Sequence, residues 1–291
     1  MKSIGIVTDS HGGISQAEAD KLGIKILPMP LMIGQDSFLE GVSITRDAFF
    51  ERLNNGEKPA TSQPSPEQVM DIWRVALKEY ETILHMPMSS GLSGSCNTAR
   101  MLSQEDEFEG KVFVMDNGRI STPMHRSILD AAELIEKGYT AERIKDILEA
   151  SKNEMSIYIA VETLEHLKNG GRISGAAAAI GTALNIKPIL SLNVGLLESY
   201  KKARGMKKAK REMLEAMKHD FETRFKDAYD KGEVYLLAAS SADEETTAAW
   251  VEEIKAYFPG MEVLCDYLSL GISCHTGEGA LGIGCSVKPQ V

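Results

Sequence analysis

In the first half of the chain, short apolar runs of strand length alternate with segments of helical periodicity, and this alternation restricts the fold more than any other feature. A strand at Ser3–Thr8 ends in the turn Asp9-Ser10-His11-Gly12-Gly13. Ser15 and Glu18 have capping-box spacing, so a helix begins there and stops at Gly23. A second strand is expected from about Ile24 to Met32, with Pro28 and Pro30 marking it as an edge or irregular strand. A helix follows over Arg46–Leu53. Ser65, Pro66 and Gln68 then combine an N-cap, a proline at the first helical position and a third-position partner. Strands at Glu81–Met88 and Lys111–Asp116 flank a serine- and glycine-rich loop, Ser89–Ser95, that leads into a helix through Arg100. Ile128, Ala132 and Ile135, then Ile144, Ile147 and Leu148, form the apolar faces of two more helices. This βαβα order predicts a parallel sheet covered by helices.

After about residue 153 the pattern changes. A strand at Ser156–Val161 precedes an alanine-rich helix running from Ser174 through Ala183. Lys187–Tyr200 reads as two strands around a turn near Asn193. A long helix follows over Met206–Phe225, with Met206, Met213, Met217 and Phe221 on its buried side. Then come a strand at Glu233–Ala239, a helix at Glu244–Tyr257, a strand at Met261–Tyr267 and a glycine-rich end closing in a strand at Leu281–Val287. Consecutive strands without crossover helices predict a mixed or antiparallel sheet. The expected architecture is therefore α/β with two domains: residues 1–152 with a parallel sheet, and residues 153–291 with a mixed or antiparallel one.

Charge and cysteine content narrow the function. With 42 acidic and 32 basic residues the net charge is −10, which argues against a nucleic-acid binder. No apolar run reaches the length of a membrane span, and the start Met1-Lys2-Ser3 enters a strand rather than a signal-peptide core, so a cytoplasmic location is expected. Cys96, Cys265, Cys274 and Cys285 form no C-x-x-C pair and read as reduced thiols, with no metal expected. No G-x-x-x-x-G-K-[ST] loop is present, so the chain is expected not to use ATP itself.

Three hydroxyl-rich loops follow strands: Thr8-Asp9-Ser10, Thr61-Ser62-Gln63-Pro64 and Ser89-Ser90-Gly91-Leu92-Ser93-Gly94-Ser95. Ligands of open α/β sheets bind at that edge. The last two loops enter helix N-termini, where backbone N–H groups and the dipole favour an anion. Gly91–Ser95 nearly matches G-x-S-x-G, with Ser95 in place of the final glycine. A serine hydrolase would need His275 as base and Asp243 or Asp266 as orienting acid, and nothing in the sequence singles out either acid. Gly277, Gly279 and Gly282 fit a dinucleotide fingerprint by count, but no βαβ unit follows them. Lys201, Lys202, Arg204, Lys207, Lys208, Lys210 and Arg211 place seven cations in eleven residues of an acidic chain, a solvated helix start or a docking patch for an acidic partner or phosphate. Arg172 stands alone between glycines and the Ser174 cap.

Taken in order, these segments resemble the DegV family, the fatty-acid-binding subunits of bacterial fatty acid kinase. The resemblance rests on Val7–Ser10, Thr61–Pro66, Ser89–Ser95, Gly170–Ser174, Lys187–Leu190, Ala203–Gly205 and His275–Gly282. It implies an acyl chain buried between the two domains and no cofactor. It implies that Thr61, Ser93 and His275 bind the carboxylate, with Ser62 and Gly94 beside them. It also implies that Arg172 and Arg204 serve a separate kinase subunit, which would phosphorylate the bound long-chain fatty acid. The carrier would then bring the acyl phosphate to an acyltransferase at the membrane. Glu278 departs from the family, which usually has proline there, and bears on the His275 loop. The alternative reading is a stand-alone serine esterase built on Ser93 and His275. A module that binds a phosphorylated metabolite at the same helix ends is a further rival.

Overall fold

The computed structural model describes residues 2–175, 185–192 and 196–291. The chain forms two compact units, one running to Lys152 and including Pro289–Val291, the other Asn153–Lys288.

The first unit contains, in order, β1 (Lys2–Asp9), α1 (Gln16–Leu22), β2 (Lys25–Leu27), β3 (Pro30–Ile33), β4 (Asp36–Leu39), α2 (Arg46–Asn54), β5 (Pro59–Thr61), α3 (Pro66–Ala76), β6 (Tyr80–Met86), α4 (Ser95–Leu102), β7 (Val112–Val114), α5 (Ser121–Glu136) and α6 (Ala141–Ala150). Four strands pair in parallel in the order β2-β1-β6-β7. Period-two alternation divides the core between the two faces. Leu84 and Met86 join Met124, Ile128, Ile144 and Ile147 on one face. Val7 and Ile83 join Trp73, Cys96, Ala99 and Phe108 on the other. Local hydrogen bonds set the helix ends. Ser15 accepts from the Glu18 N–H, and Gly23 closes α1 in the left-handed conformation. Ser65 and Gln68 form a complete capping box around Pro66.

The single strand expected over Ile24–Met32 is two strands in two sheets. β2 leaves the parallel sheet at Leu27, where it pairs with Asp9. β3 begins at Pro30 and is the middle of a separate three-stranded antiparallel sheet, β4-β3-β5. Between them, the Met29 N–H donates to Ser10 Oγ at 3.1 Å and its carbonyl accepts from the Glu40 N–H at 3.0 Å, so the backbone there is satisfied outside either sheet. The hairpin partner β4 has no apolar alternation to announce it, and Gly34 (φ 63°) makes the turn.

The second unit contains β8 (Met155–Ala160), α7 (Glu165–Gly170), β9 (Ile186–Leu192), β10 (Leu197–Arg204), α8 (Met206–Glu222), α9 (Lys226–Asp230), β11 (Val234–Ser240), α10 (Glu244–Tyr257), β12 (Val263–Tyr267), α11 (Leu270–Thr276) and β13 (Leu281–Val287). Its six-stranded sheet has the order β10-β9-β8-β13-β11-β12, with β11–β12 parallel and the other pairs antiparallel. The mixed sheet agrees with the sequence reading. Met213, Met217 and Phe221 of α8 and Trp250 of α10 pack on one face, with Met206 at the margin. Ile159, Leu190, Leu164, Leu167 and Ile173 cluster together elsewhere in the unit. Short α7 and α11 were not expected from periodicity. The alanine-rich helix beyond Gly175 and the turn at Asn193 lie outside the described residues. Among the described residues, no helix is long and apolar enough to cross a membrane.

Candidate functional site

In the first unit, the two later hydroxyl-rich loops meet. Thr61 ends β5 opposite Leu31, and the Ser62 N–H donates to the Pro30 carbonyl at 3.4 Å. Gln63 then reaches the other loop, its Oε1 accepting from Thr98 Oγ1 of α4 at 3.3 Å. A Cβ at Gly94 would stand 2.9 Å from that same oxygen, so the two loops approach closely there and a side chain at 94 would push the Gln63 amide aside. Ser93 Oγ accepts from the Ser95 N–H at 3.2 Å, which directs the hydroxyl-bearing turn at the start of α4. The N-cap of this helix is Gly94, which has no side chain to cap it. Ser95 is 6% exposed and its Oγ has no hydrogen-bond partner among the described residues. Leaving a buried hydroxyl unsatisfied costs about 1–3 kcal/mol. A helix N-terminus beside an unsatisfied hydroxyl suits an anionic head group.

The rest of the protein holds this loop firmly. The Ser89 N–H donates to the Arg119 carbonyl at 2.9 Å. Ser90 donates through its hydroxyl to Asp116 Oδ2 at 2.5 Å and through its N–H to Oδ1 at 3.3 Å. Burial would raise the Asp116 carboxyl, but the Ser90 hydrogen bonds and Lys152 hold it below the usual carboxylate range. The Thr8-Asp9-Ser10 loop is different. Thr8 Oγ1 donates to the Met86 carbonyl at 2.9 Å, Asp9 accepts from the His11 and Met88 N–H groups, and Ser10 Oγ donates to Glu40. Its polar groups join chain segments, so of the three loops this one is structural.

In the second unit, His275 lies in the last turn of α11, which packs against α7. Its ring stands against Gly170, where a Cβ would fall 1.9 Å from Nδ1. Arg172 Nη1 donates to the Gly170 carbonyl at 2.6 Å. Backbone bonds between Arg172, Ser174 and Leu197 tie this segment to the start of β10. Ser241 pins the turn after His275, donating to the Gly277 carbonyl at 2.7 Å and accepting from the Ala280 N–H at 2.9 Å. Glu278 is exposed on that turn. The departure from proline therefore falls where Ser241 already supplies the rigidity.

Arg204 ends β10, and Gly205 (φ 80°) turns the chain into α8. The cationic run is thus shared by a strand and a helix. Lys201 pairs with Glu212, Lys210 with Glu253, and Arg211 with Glu215 at 3.3 Å. The hydrogen bond between them raises Lys201 and lowers Glu212 from their ordinary values. Arg204, Lys207, Lys208 and Arg211 line a groove of about 790 Å³ with Tyr257 and Glu253. Arg204, Lys207 and Lys208 form no ion pair among the described residues, so the groove keeps a positive charge.

Of the acids available to a hydrolase, Asp243 caps α10, accepting from the Thr246 N–H at 2.7 Å, and those hydrogen bonds lower its carboxyl. Asp266 lies on the edge strand β12. The cysteines are free; burial pushes the Cys96 thiol up to about 12 and Cys265 up to about 11. Met29, Met86 and Met88 are buried on the parallel sheet's α5 side, whereas Met32 is 42% exposed and lines no interior. Sequence reasoning assigned no role to Gln63, Ser95 or Gly170. Gln63 and Ser95 stood in view as motif letters, but their directions depend on the packing of α3 and α4.

Comparison with known proteins identifies the family. The profile of the DegV family, described as "Uncharacterised protein, DegV family", matches residues 3–288. Protein DegV of Bacillus subtilis is 31% identical over 285 residues, covering 97% of this chain and 98% of its own. A DegV family protein from Thermus thermophilus, whose structure is described for its fatty acid binding, superposes with a TM-score of 0.86 at 34% identity over 98% of this chain and 99% of that one. The structure of DegV from Bacillus subtilis, described as a fatty acid binding protein, gives a TM-score of 0.82 at 30% identity over 99% and 100%. With the match running through both units and every loop described above, the chain belongs to the DegV family.

Proposed function

We propose that the protein is a fatty-acid carrier that presents the carboxylate of one long-chain fatty acid to a separate ATP-dependent kinase and carries the acyl phosphate onward, to an acyltransferase at the membrane. The observation that carries this reading is the junction of the Thr61 and Ser93 loops at the start of α4, whose N-cap is Gly94, with Ser95 Oγ buried there and without a partner among the described residues. Fatty acid binding by the Thermus and Bacillus relatives supports it. Thr61, Ser62, Ser93 and Gly94 are the head-group residues of the first unit, and His275 is that of the second. Neutral donors hold a carboxylate without a full counter-ion, which leaves its oxygen nucleophilic toward a phosphoryl donor. Affinity comes chiefly from the tail: about fourteen methylenes at ~0.8 kcal/mol each give a gross ~11 kcal/mol. Mass spectrometry of the organic extract of the purified protein should find one long-chain fatty acid.

Thr61→Ala and Ser93→Ala should each weaken retention of that fatty acid by ~1.5–3 kcal/mol, the range for hydrogen bonds to a charged group. Titration with a fluorescent fatty acid measures it; unchanged affinity in both variants would place the carboxylate elsewhere.

The cationic groove at Arg204 is the docking surface for the kinase on this reading, and Arg172 serves the same partnership. Arg204→Ala should leave fatty-acid affinity unchanged and lower kinase turnover, and added salt should reproduce the effect on wild-type protein because exposed charges act by screened attraction. Loss of fatty-acid affinity in Arg204→Ala would show that the residue supports the fold or the pocket instead.

A further inference from the structure

Gly170 and Gly171 end α7, but for different reasons. Gly171 closes the helix with φ 68°, a left-handed conformation that favours glycine. Gly170 is outside that region, so its backbone would accept alanine, and alanine would favour the helix by roughly 1 kcal/mol. What alanine lacks there is room. A Cβ at Gly170 would lie 1.9 Å from His275 Nδ1, 2.5 Å from Cε1 and 3.2 Å from Cγ. All three contacts are with one imidazole ring.

We propose that Gly170 is a positioning residue for His275: its bare Cα is the surface against which the imidazole rests, and it fixes where the ring's nitrogens point. This rests on the reading of His275 as a head-group residue. The backbone on both sides is held, which makes the ring the part that must move. The Gly170 carbonyl accepts from Arg172 Nη1, the Gly171 N–H donates to the Lys168 carbonyl at 3.3 Å, and Leu164 and Leu167 are buried behind the helix. On the other side, Ser269 caps α11, Ser273, Cys274 and Thr276 are buried, and Ser241 fixes the following turn. A methyl group at 170 therefore turns the ring about its side-chain torsions and leaves both helices in place. The Arg172 hydrogen bond makes the same platform rigid, so part of any effect of Arg172→Ala passes through His275.

The test compares Gly170→Ala, His275→Ala and the double variant by titration with a fluorescent long-chain fatty acid, by unfolding midpoint and by the pH-dependent ¹⁵N shifts of the His275 ring. The expected result is that Gly170→Ala weakens binding as much as His275→Ala, roughly 10-fold or more for a lost bond to a charged group, and that the double variant is no weaker than His275→Ala alone. The His275 ring shifts should move in Gly170→Ala. In Gly171→Ala they should stay as in wild type, although that variant strains the cap and lowers stability. If Gly170→Ala proves unstable, His275→Ala in the same chain should restore the unfolding midpoint, since no ring remains to collide with. Normal binding by Gly170→Ala beside weak binding by His275→Ala would overturn the positioning role and leave the head-group reading intact. Additive losses in the double variant, or unmoved ring shifts, would also overturn it. Normal binding by His275→Ala would remove His275 from the head-group site, and the ring shifts of Gly170→Ala would still decide whether Gly170 positions it.

Discussion

Trp73→Ala is expected to destabilise the first unit by about 3–5 kcal/mol, the range for removing a buried tryptophan. Trp73 is 0% exposed, and its indole stands edge-on to both Phe108 and His85 with ring centroids 5.1 and 5.4 Å away. Its Nε1–H also donates to His85 Nδ1 at 3.1 Å, so truncation opens a cavity and orphans a buried nitrogen. Cys96 and Ala99 of α4 belong to the same cluster. The seat of the Ser93–Ser95 turn should loosen with it, and fatty-acid retention should fall alongside the urea midpoint. Trp73→Phe keeps most of the volume and leaves the same His85 nitrogen without its donor, so its loss should be smaller, about 1–3 kcal/mol. A loss under about 1 kcal/mol in the alanine variant would contradict this account of the core.

Two buried groups of the first unit should oppose each other in acid. Burial holds the His85 imidazole down at about 4 against an ordinary 6.5, although Asp9 pulls it upward. The unfolded chain takes up that proton first, so stability is complete above pH 6.5 and is lost as pH falls through 4. At 1.36 kcal/mol per unit the loss approaches ~3 kcal/mol. Asp130 runs the other way. Burial raises its carboxyl to about 6 from an ordinary 3.8, despite Arg126 and Arg119. The folded state holds that proton more tightly, so its contribution is complete below pH 3.8 and is lost as pH rises through 6, again by ~3 kcal/mol. Between pH 4 and 6 the contributions of these two groups to wild-type stability should therefore nearly cancel. His85→Gln should make the protein gain stability on acidification, and Asp130→Asn should make it lose stability. Urea midpoints at pH 4, 5, 6 and 7 measure both slopes; wild-type slopes in the two variants would refute the assignment.

What could be read from the sequence was what short-range bonds decide. Ser15, Ser65 and Asp243 cap their helices through N–H groups three residues away, so the starts of α1, α3 and α10 were legible. Strand β13 was legible from its apolar run between turns. The helices α7 and α11 are too short for a period to emerge, and they form because Leu167 and Cys274 find buried places in the fold. The break at Pro28 was visible as an irregularity, but the sheet that β3 would join depends on β5, about thirty residues later. Site residues divided in the same way. Thr61, Ser93 and Gly94 belong to loops that a pattern can mark. The difference between the Ser10 hydroxyl, committed to Glu40 and Met29, and the Ser95 hydroxyl, which has no partner among the described residues, exists only once the chain is folded.

The break after Leu27 also bears on how a ligand comes and goes. It places Thr61 on a small antiparallel sheet and Ser93 beside the large parallel one, so the two hydroxyls belong to cooperative units of different size. The small sheet has three short strands, with Leu31 and Ile33 buried, and Gln63 reaches α4 through its hydrogen bond with Thr98. Opening free energy follows the apolar contacts an element would give up. The amides of Leu31–Ile33 should therefore exchange with deuterium sooner than those of β1 and β6, and a bound fatty acid should slow them more than it slows the parallel sheet. Exchange of the ligand would then be timed by the fraying of this small sheet, with the larger core unchanged throughout.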